Sequence, residues 1–434
     1  MTAEIAVFNS SAIALAADSA VTISRNGMVK INNNADKLFE LSKHHPIGAM
    51  IFNNASLAGA PWELLIKSYR KQLGSAPKNT VHEYSADLIE YIQNDKLVIT
   101  NEMRARSAQN IFQQKISAIC QEINQIDIVV LLQARGGDVT TADFYAILQK
   151  KIFSYIEDLL KKPYFPSLDE SNYEDAKEYV KSYVRVVASK VVPQDAEHVI
   201  SDELWSCLEH FAALLLCKQN NSNSFTGVVF AGYGEQEHYP SIRTIHVYGF
   251  FKDNLLYTED QEKTEKSECE QAGILPFAQE DEVVTFIEGC SRSVNEFTNN
   301  LASEIASRAK TFIATTLNGK VDSAQLDSLY KELEQHFHNS VNDFTIKKNS
   351  FIQSTHVSKM LSMLNSLGKV DLAYMAESLV DITAFKRKIS NDHETVGGPV
   401  DVAVISKGDG FVWIKRKHYF IKELNHNFFE RNNH

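Results

Sequence analysis

Three polar residues within the first forty positions are of types that could do chemistry: Thr2, Asp18 and Lys37. Thr2 directly follows the initiator Met1, and so small a second residue permits Met1 to be removed. Thr2 would then present a hydroxyl and a free α-amine on one residue. An α-amine with a pKa of roughly 7.7–8.0 accepts a proton near neutral pH, so Thr2 could serve as nucleophile and base together. A threonine at position two carries little weight alone. Asp18, in LAADS, and Lys37, in NADKLFEL, add to it, because a charged side chain among apolar neighbours is uncommon unless paired. The plain alternative for these two is an ordinary ion pair between adjacent strands.

The elements that must position these residues follow from patterning. EIAVF (4–8) and AIALAADSAVTI (12–23) flank the polar turn NSS, which predicts a β-hairpin at the very N-terminus with Asp18 inside its second strand. DKLFEL leads to the apolar strand HHPIGAMIF (44–52) and the loop NNASLAGAPW (53–62). A helix is expected over 61–73, with Pro61 early in it and Gly74 ending it. A second is expected over 80–95, where Thr80 and Glu83 have capping-box spacing.

Between 96 and 224 apolar residues recur at intervals of three and four, in stretches 102–123, 142–162, 172–192 and 202–219. This predicts an inserted helical subdomain after a first core segment, 1–95. Within it ARGGDVTT (134–141) lacks the Lys-Ser/Thr of a phosphate-binding loop and reads as a turn. β-branched and aromatic runs resume over 223–260, so residues 225–434 form the second core segment. That segment carries a long helical pattern at 283–317, a helical extension at about 318–368 and an amphipathic helix at 369–390 that ends in Lys and Arg.

The order Thr2, LAADS, DKLFEL resembles the first three strands of proteasome β-type subunits and their bacterial relatives, the N-terminal-nucleophile hydrolases. GGPVDVAVISKGDGFVWI (397–414) is similar to that family's closing strands. The resemblance implies an α+β fold, a four-layer αββα sandwich, here with helical insertions. It makes Thr2 the nucleophile, Lys37 the ammonium beside it and Asp18 the carboxylate paired with that lysine. A nearby positive charge disfavours a second one on the Thr2 amine, which stays neutral and can act as base. Asn53 occupies the place of a glycine whose backbone N–H stabilises the oxyanion, and asparagine tolerates unusual backbone angles. Asp392 would support the nucleophile from before the Gly-Gly turn, while Val396 stands where relatives place a serine.

The resemblance further implies a proteasome-like threonine protease that cleaves peptide or protein substrates without a cofactor or metal, as a homo-oligomer. By analogy alone it suggests an unfoldase ATPase partner. Two alternatives stand beside it: a catalytically inactive binding or scaffold protein, and a small-amide hydrolase on the same fold.

Composition narrows the remaining classes. With 434 residues, 44% apolar and 23% charged, the chain reads as soluble and globular. A net charge of −11 without a sustained Lys/Arg block argues against nucleic acid. No apolar run reaches the roughly 20 residues that span a bilayer. Five scattered cysteines without a CxxC pair argue against a zinc site and a disulfide framework. Glu4 is the only early charge, so the start lacks a basic signal-peptide region, and a cytoplasmic location is expected.

Overall fold

A computed structural model describes residues 3–25, 28–137, 139–193, 200–220, 222, 224–266, 271–317, 322–389, 397–418, 420–425 and 427. Strands β1 (Glu4–Asn9) and β2 (Ala12–Ala17), β3 (Val21–Arg25) and β4 (Met28–Asn32), and β5 (Leu38–Glu40) and β6 (Ile47–Asn53) form successive antiparallel pairs. Short strands β7 (Ser56–Leu57) and β8 (Ala60–Pro61) precede helices α1 (Trp62–Leu73) and α2 (Val81–Asn94). Helices α3 (Asn101–Glu122), α4 (Ile128–Arg135), α5 (Thr141–Leu160), α6 (Ser171–Lys181), α7 (Val184–Ala188) and α8 (Asp202–Cys217) follow. Then come β9 (Thr226–Gly232), β10 (Ser241–Phe251), β11 (Asn254–Glu259), β12 (Glu265–Lys266) and β13 (Gly273–Pro276). The chain continues through α9 (Glu280–Glu288), α10 (Arg292–Leu317), α11 (Ser323–Ile352), α12 (Ser358–Asn365) and α13 (Lys369–Ile389) to β14 (Asp401–Ser406) and β15 (Gly410–Lys415). The fold is thus mixed helix and antiparallel sheet. Among the described residues no helix is long and apolar enough to cross a membrane.

The chain divides into two compact units, one of Met1–Asn33, Ser267–Val404 and Ile414–His434, the other of Asn34–Lys266 and Ile405–Trp413. The first contains strands β13, β1 and β2 and residues 401–404 of β14, neighbours in that order in one sheet. Because side chains alternate along a strand, Ile5 and Val7 share one face with Ala12, Ala14 and Ala16. That face packs against Leu372, Ala376 and Val380 of α13. The small alanines let the helix lie close, and each buried Leu or Val contributes about 1.5–3 kcal/mol. Asn9 closes the β1–β2 turn: its Oδ1 accepts from the Ser11 and Ala12 N–H groups, and its Nδ2 donates to Leu364 O and Leu367 O at 3.0 Å each.

The second unit is built on the sheet β11-β10-β9-β6-β5, with β12 beside β10. Ile47, Ala49 and Ile51 of β6 share a core with Trp62, Leu65, Ile66, Tyr84 and Leu88 of α1 and α2. The helices after residue 96 bury a separate core that includes Phe112, Ile116, Leu148, Leu208 and Phe211, joined to the sheet through Phe251 and Leu256.

Several local expectations change. AIALAADSAVTI is not one strand: β2 ends at Ala17, and Asp18 to Ala20 separate it from β3. The Asp18 side chain accepts the Ala20 N–H at 3.3 Å, a local bond that takes the place of ladder pairing. Pro61 has extended angles and caps α1 from outside the helix. Thr80 Oγ1 accepts the Glu83 N–H at 3.2 Å, but Glu83 returns to the Asn79 N–H at 2.8 Å, so the capping box is shifted by one residue. The 283–317 pattern breaks into α9 and α10 because Gly289 takes φ +72°, a left-handed stop.

Candidate active site

Asp18 is 1% exposed, and its carboxylate gathers three backbone donors. Oδ1 accepts the Ala3 N–H at 3.0 Å, while Oδ2 accepts those of Ala20 at 3.3 Å and Gly397 at 2.9 Å. The Asp18 N–H donates in return to Ala3 O at 3.1 Å. Ala3, the residue after Thr2, is therefore held at both its N–H and its carbonyl by one aspartate. Beside it the Ser19 N–H donates to Gly397 O at 3.2 Å and its hydroxyl to Pro399 O at 2.5 Å. Gly398 has φ +78°, and a Cβ there would stand 2.8 Å from Asn33 O, so the turn needs glycine. The Gly-Gly-Pro turn and the start of β1 thus meet on Asp18, from opposite ends of the sequence. Thr2 and Asp392 lie outside the described residues.

Lys37 and Asn53 belong to the other unit. Lys37 precedes β5, and its carbonyl accepts the Ile51 N–H at 2.8 Å, which fixes it against β6. It is 2% exposed, an uncommon position for an ammonium. Asn53 ends β6 in register with Thr226, at φ +69°. Asparagine is among the few side chains that visit this left-handed region readily. Ala58 at φ +52° and Gly59 at φ +93° repeat the conformation later in the loop. The Asn54 amide donates to Phe225 O at 2.9 Å and ties the loop to the approach to β9.

A cleft of about 420 Å³ adjoins this loop, lined by Asn54, Ser56, Arg106, Asn110 and Gln114 among others. Arg106, Asn110 and Gln114 come from α3, the first helix of the insertion. Nothing in the sequence pattern connected α3 with the loop, since contact between segments fifty residues apart depends on packing.

Sequence reasoning also missed Arg104, whose side chain is 2% exposed. Its guanidinium donates to the carbonyls of Ile92, Gln93, Asp95 and Ile99 at 2.9–3.3 Å and to Asp253 Oδ1 at 3.0 Å. It satisfies carbonyls that the end of α2 leaves without helical donors. Arg-Ala-Arg-Ser at 104–107 gives no signal of this role. Two of the cysteines are set away from the reactive thiolate: burial pushes the Cys120 thiol up to about 11 and the Cys217 thiol up to about 12.

A scan against protein-family models and a search of curated proteins returned no match for this chain.

Proposed function

We propose that this protein is an N-terminal-nucleophile amide hydrolase of proteasome-like type, on a four-layer αββα core, acting on peptides. The observation that carries the reading is the Asp18 carboxylate binding the N–H groups of Ala3 and Gly397 at 3.0 and 2.9 Å. A hydrolase whose nucleophile is its first residue must hold that end of the chain still, because a small misplacement of the attacking atom costs orders of magnitude in rate. Asp18 restrains the next residue from two sides.

In this reading removal of Met1 frees the Thr2 amine. The amine takes the proton from Thr2 Oγ as that oxygen attacks the substrate carbonyl carbon. Lys37 supplies the positive charge that keeps the amine neutral beforehand. Backbone N–H groups of the Asn53 loop bind the oxyanion as it forms. The amine then gives its proton to the leaving nitrogen, and the C–N bond breaks to leave an ester on Thr2 Oγ. Water, deprotonated by the same amine, attacks the ester and restores the hydroxyl.

Intact-protein mass spectrometry before and after a peptide epoxyketone probe tests the reading. The expected result is loss of Met1 and a single adduct on Thr2. Retained Met1 with no adduct, in protein recovered from its own cells, overturns it. Thr2→Ala is expected to abolish peptide turnover with little change in melting temperature, and Lys37→Ala to abolish it also; turnover surviving either change removes that residue's role.

A further inference from the structure

The helical insertion holds a cavity of about 510 Å³ lined by residues of α3, α5 and α8 and of the segments that follow α5 and α8. That size suits a small organic ligand. Leu159, Phe211 and Leu215 give it a buried apolar wall. The Tyr155 ring lies 6.0 Å from that of Phe211, centroid to centroid, and extends the wall as an aromatic surface.

One cation lines this space from within the helices. Lys115 is half-buried, its ammonium 4.4 Å from the Tyr155 ring centroid. Among the described residues no carboxylate lies within 4 Å of it. Burial pushes its pKa down, and the field of Glu122 acts only as the weaker opposing cause. Glu122 is itself committed to Lys151 at 2.7 Å. A cation–π contact compensates only part of what the partial burial of an ammonium costs. An anion is the partner that would close this gap.

The remaining groups limit what kind of anion fits. The exposed Lys161 and Lys162 also line the cavity, and Asp158, its one acid, sits 3.7 Å from Lys161. The Gln219 amide donates to Tyr164 O at 2.9 Å, and the Asn220 amide to Leu215 O and Lys218 O at 3.2 and 3.3 Å. One Gln219 N–H and the Asn220 amide are thus spent on backbone, which leaves the half-buried Lys115 against the apolar wall rather than the several converging donors a phosphate group asks for.

We propose that this cavity binds an organic carboxylate with an aromatic or short aliphatic body, its carboxylate on Lys115 and its body on Tyr155, Phe211 and Leu215. The ligand is either a free small acid or the carboxylate end of a peptide. The site does not depend on the hydrolase reading.

Isothermal titration calorimetry on the full chain tests it with hydrocinnamate, its neutral amide, N-acetylphenylalanine and the amide of that compound. Either acid is expected to bind at one site about tenfold or more tighter than its own amide, as a charge-assisted hydrogen bond requires. Lys115→Met, which keeps the apolar stem, is expected to remove that preference. Preference for hydrocinnamate names a free acid as the source, and preference for N-acetylphenylalanine names a peptide end. Absence of binding by both acids, or equal binding of acid and amide, overturns the proposal without any variant. A folded Lys115→Met protein that keeps the full preference overturns it too.

Discussion

Two helical regions of this protein follow the same rule of apolar spacing and reach opposite ends. The insertion, α3 to α8, turns Phe112, Ile116, Leu148 and Leu208 into a core that also takes in Phe251 and Leu256 of the sheet. The pair α10 and α11 shows the same amphipathic spacing, yet Phe297 is 64% exposed, Ile305 60% and Phe312 71%. No described residue of α10 is buried. Helical periodicity therefore states that a helix has an apolar face and is silent on whether anything covers it. What covers the insertion's face is its own neighbouring helices together with Phe251 and Leu256, while Arg104 ties α3 to the end of α2.

The contrast can be broken in several ways, beginning with the largest effect. Phe112→Ala is expected to cost about 3–5 kcal/mol, because the side chain is fully buried and its removal leaves a cavity. The same change at Phe312 is expected to move stability by less than about 0.5 kcal/mol, as for other exposed positions. Urea unfolding of the two variants measures both, and similar losses would erase the distinction.

Arg104→Met ranks next. It keeps the stem but strips donors from four backbone carbonyls, for an expected loss of about 2–4 kcal/mol, reduced from the buried-pair range because Asp253 is itself exposed. A loss under about 1 kcal/mol would mean that water replaces those bonds.

Amide hydrogen exchange sharpens the comparison without mutation. Amides of α3 and α8 are expected to exchange only through large-scale opening, and those of α10 and α11 about tenfold or more faster through local opening. Equal protection would show that the apolar face of α10 is covered in solution.

The smallest effect concerns pH at the start of α5. Asp143 accepts the Thr140 N–H at 3.0 Å and Arg135 at 2.8 Å, which lowers its pKa to about 2. A depressed carboxylate pKa means that this cap is complete above the ordinary range near 4 and is lost as pH falls through about 2. An NMR titration of the Asp143 carboxyl should place its midpoint there, and a midpoint near 4 would remove the cap from the account.

The residue types that make a candidate site were legible in order of sequence, and their partners were not. Thr2, Asp18 and Lys37 stood out because polar groups beside apolar runs are costly and therefore informative. That Asp18 holds Gly397, 379 positions away, was not legible. No local pattern encodes which backbone donor will fill a carboxylate's coordination. The left-handed turn at Asn53 sits between these cases: asparagine permits it, and it falls at the last pair of β6 with β9.

By itself the sequence determined the N-terminal hairpin, the Thr80 cap, the approximate helices and the chemical types at the site, since these rest on periodicities of two and 3.6 residues and on short-range hydrogen bonds. Tertiary structure alone decided that Asp18 joins the Gly-Gly-Pro turn to β1, that Arg104 secures the insertion to the end of α2, and that α10 keeps its aromatic side chains in solvent. Each depends on which distant segments come together, and that choice follows from packing the whole chain.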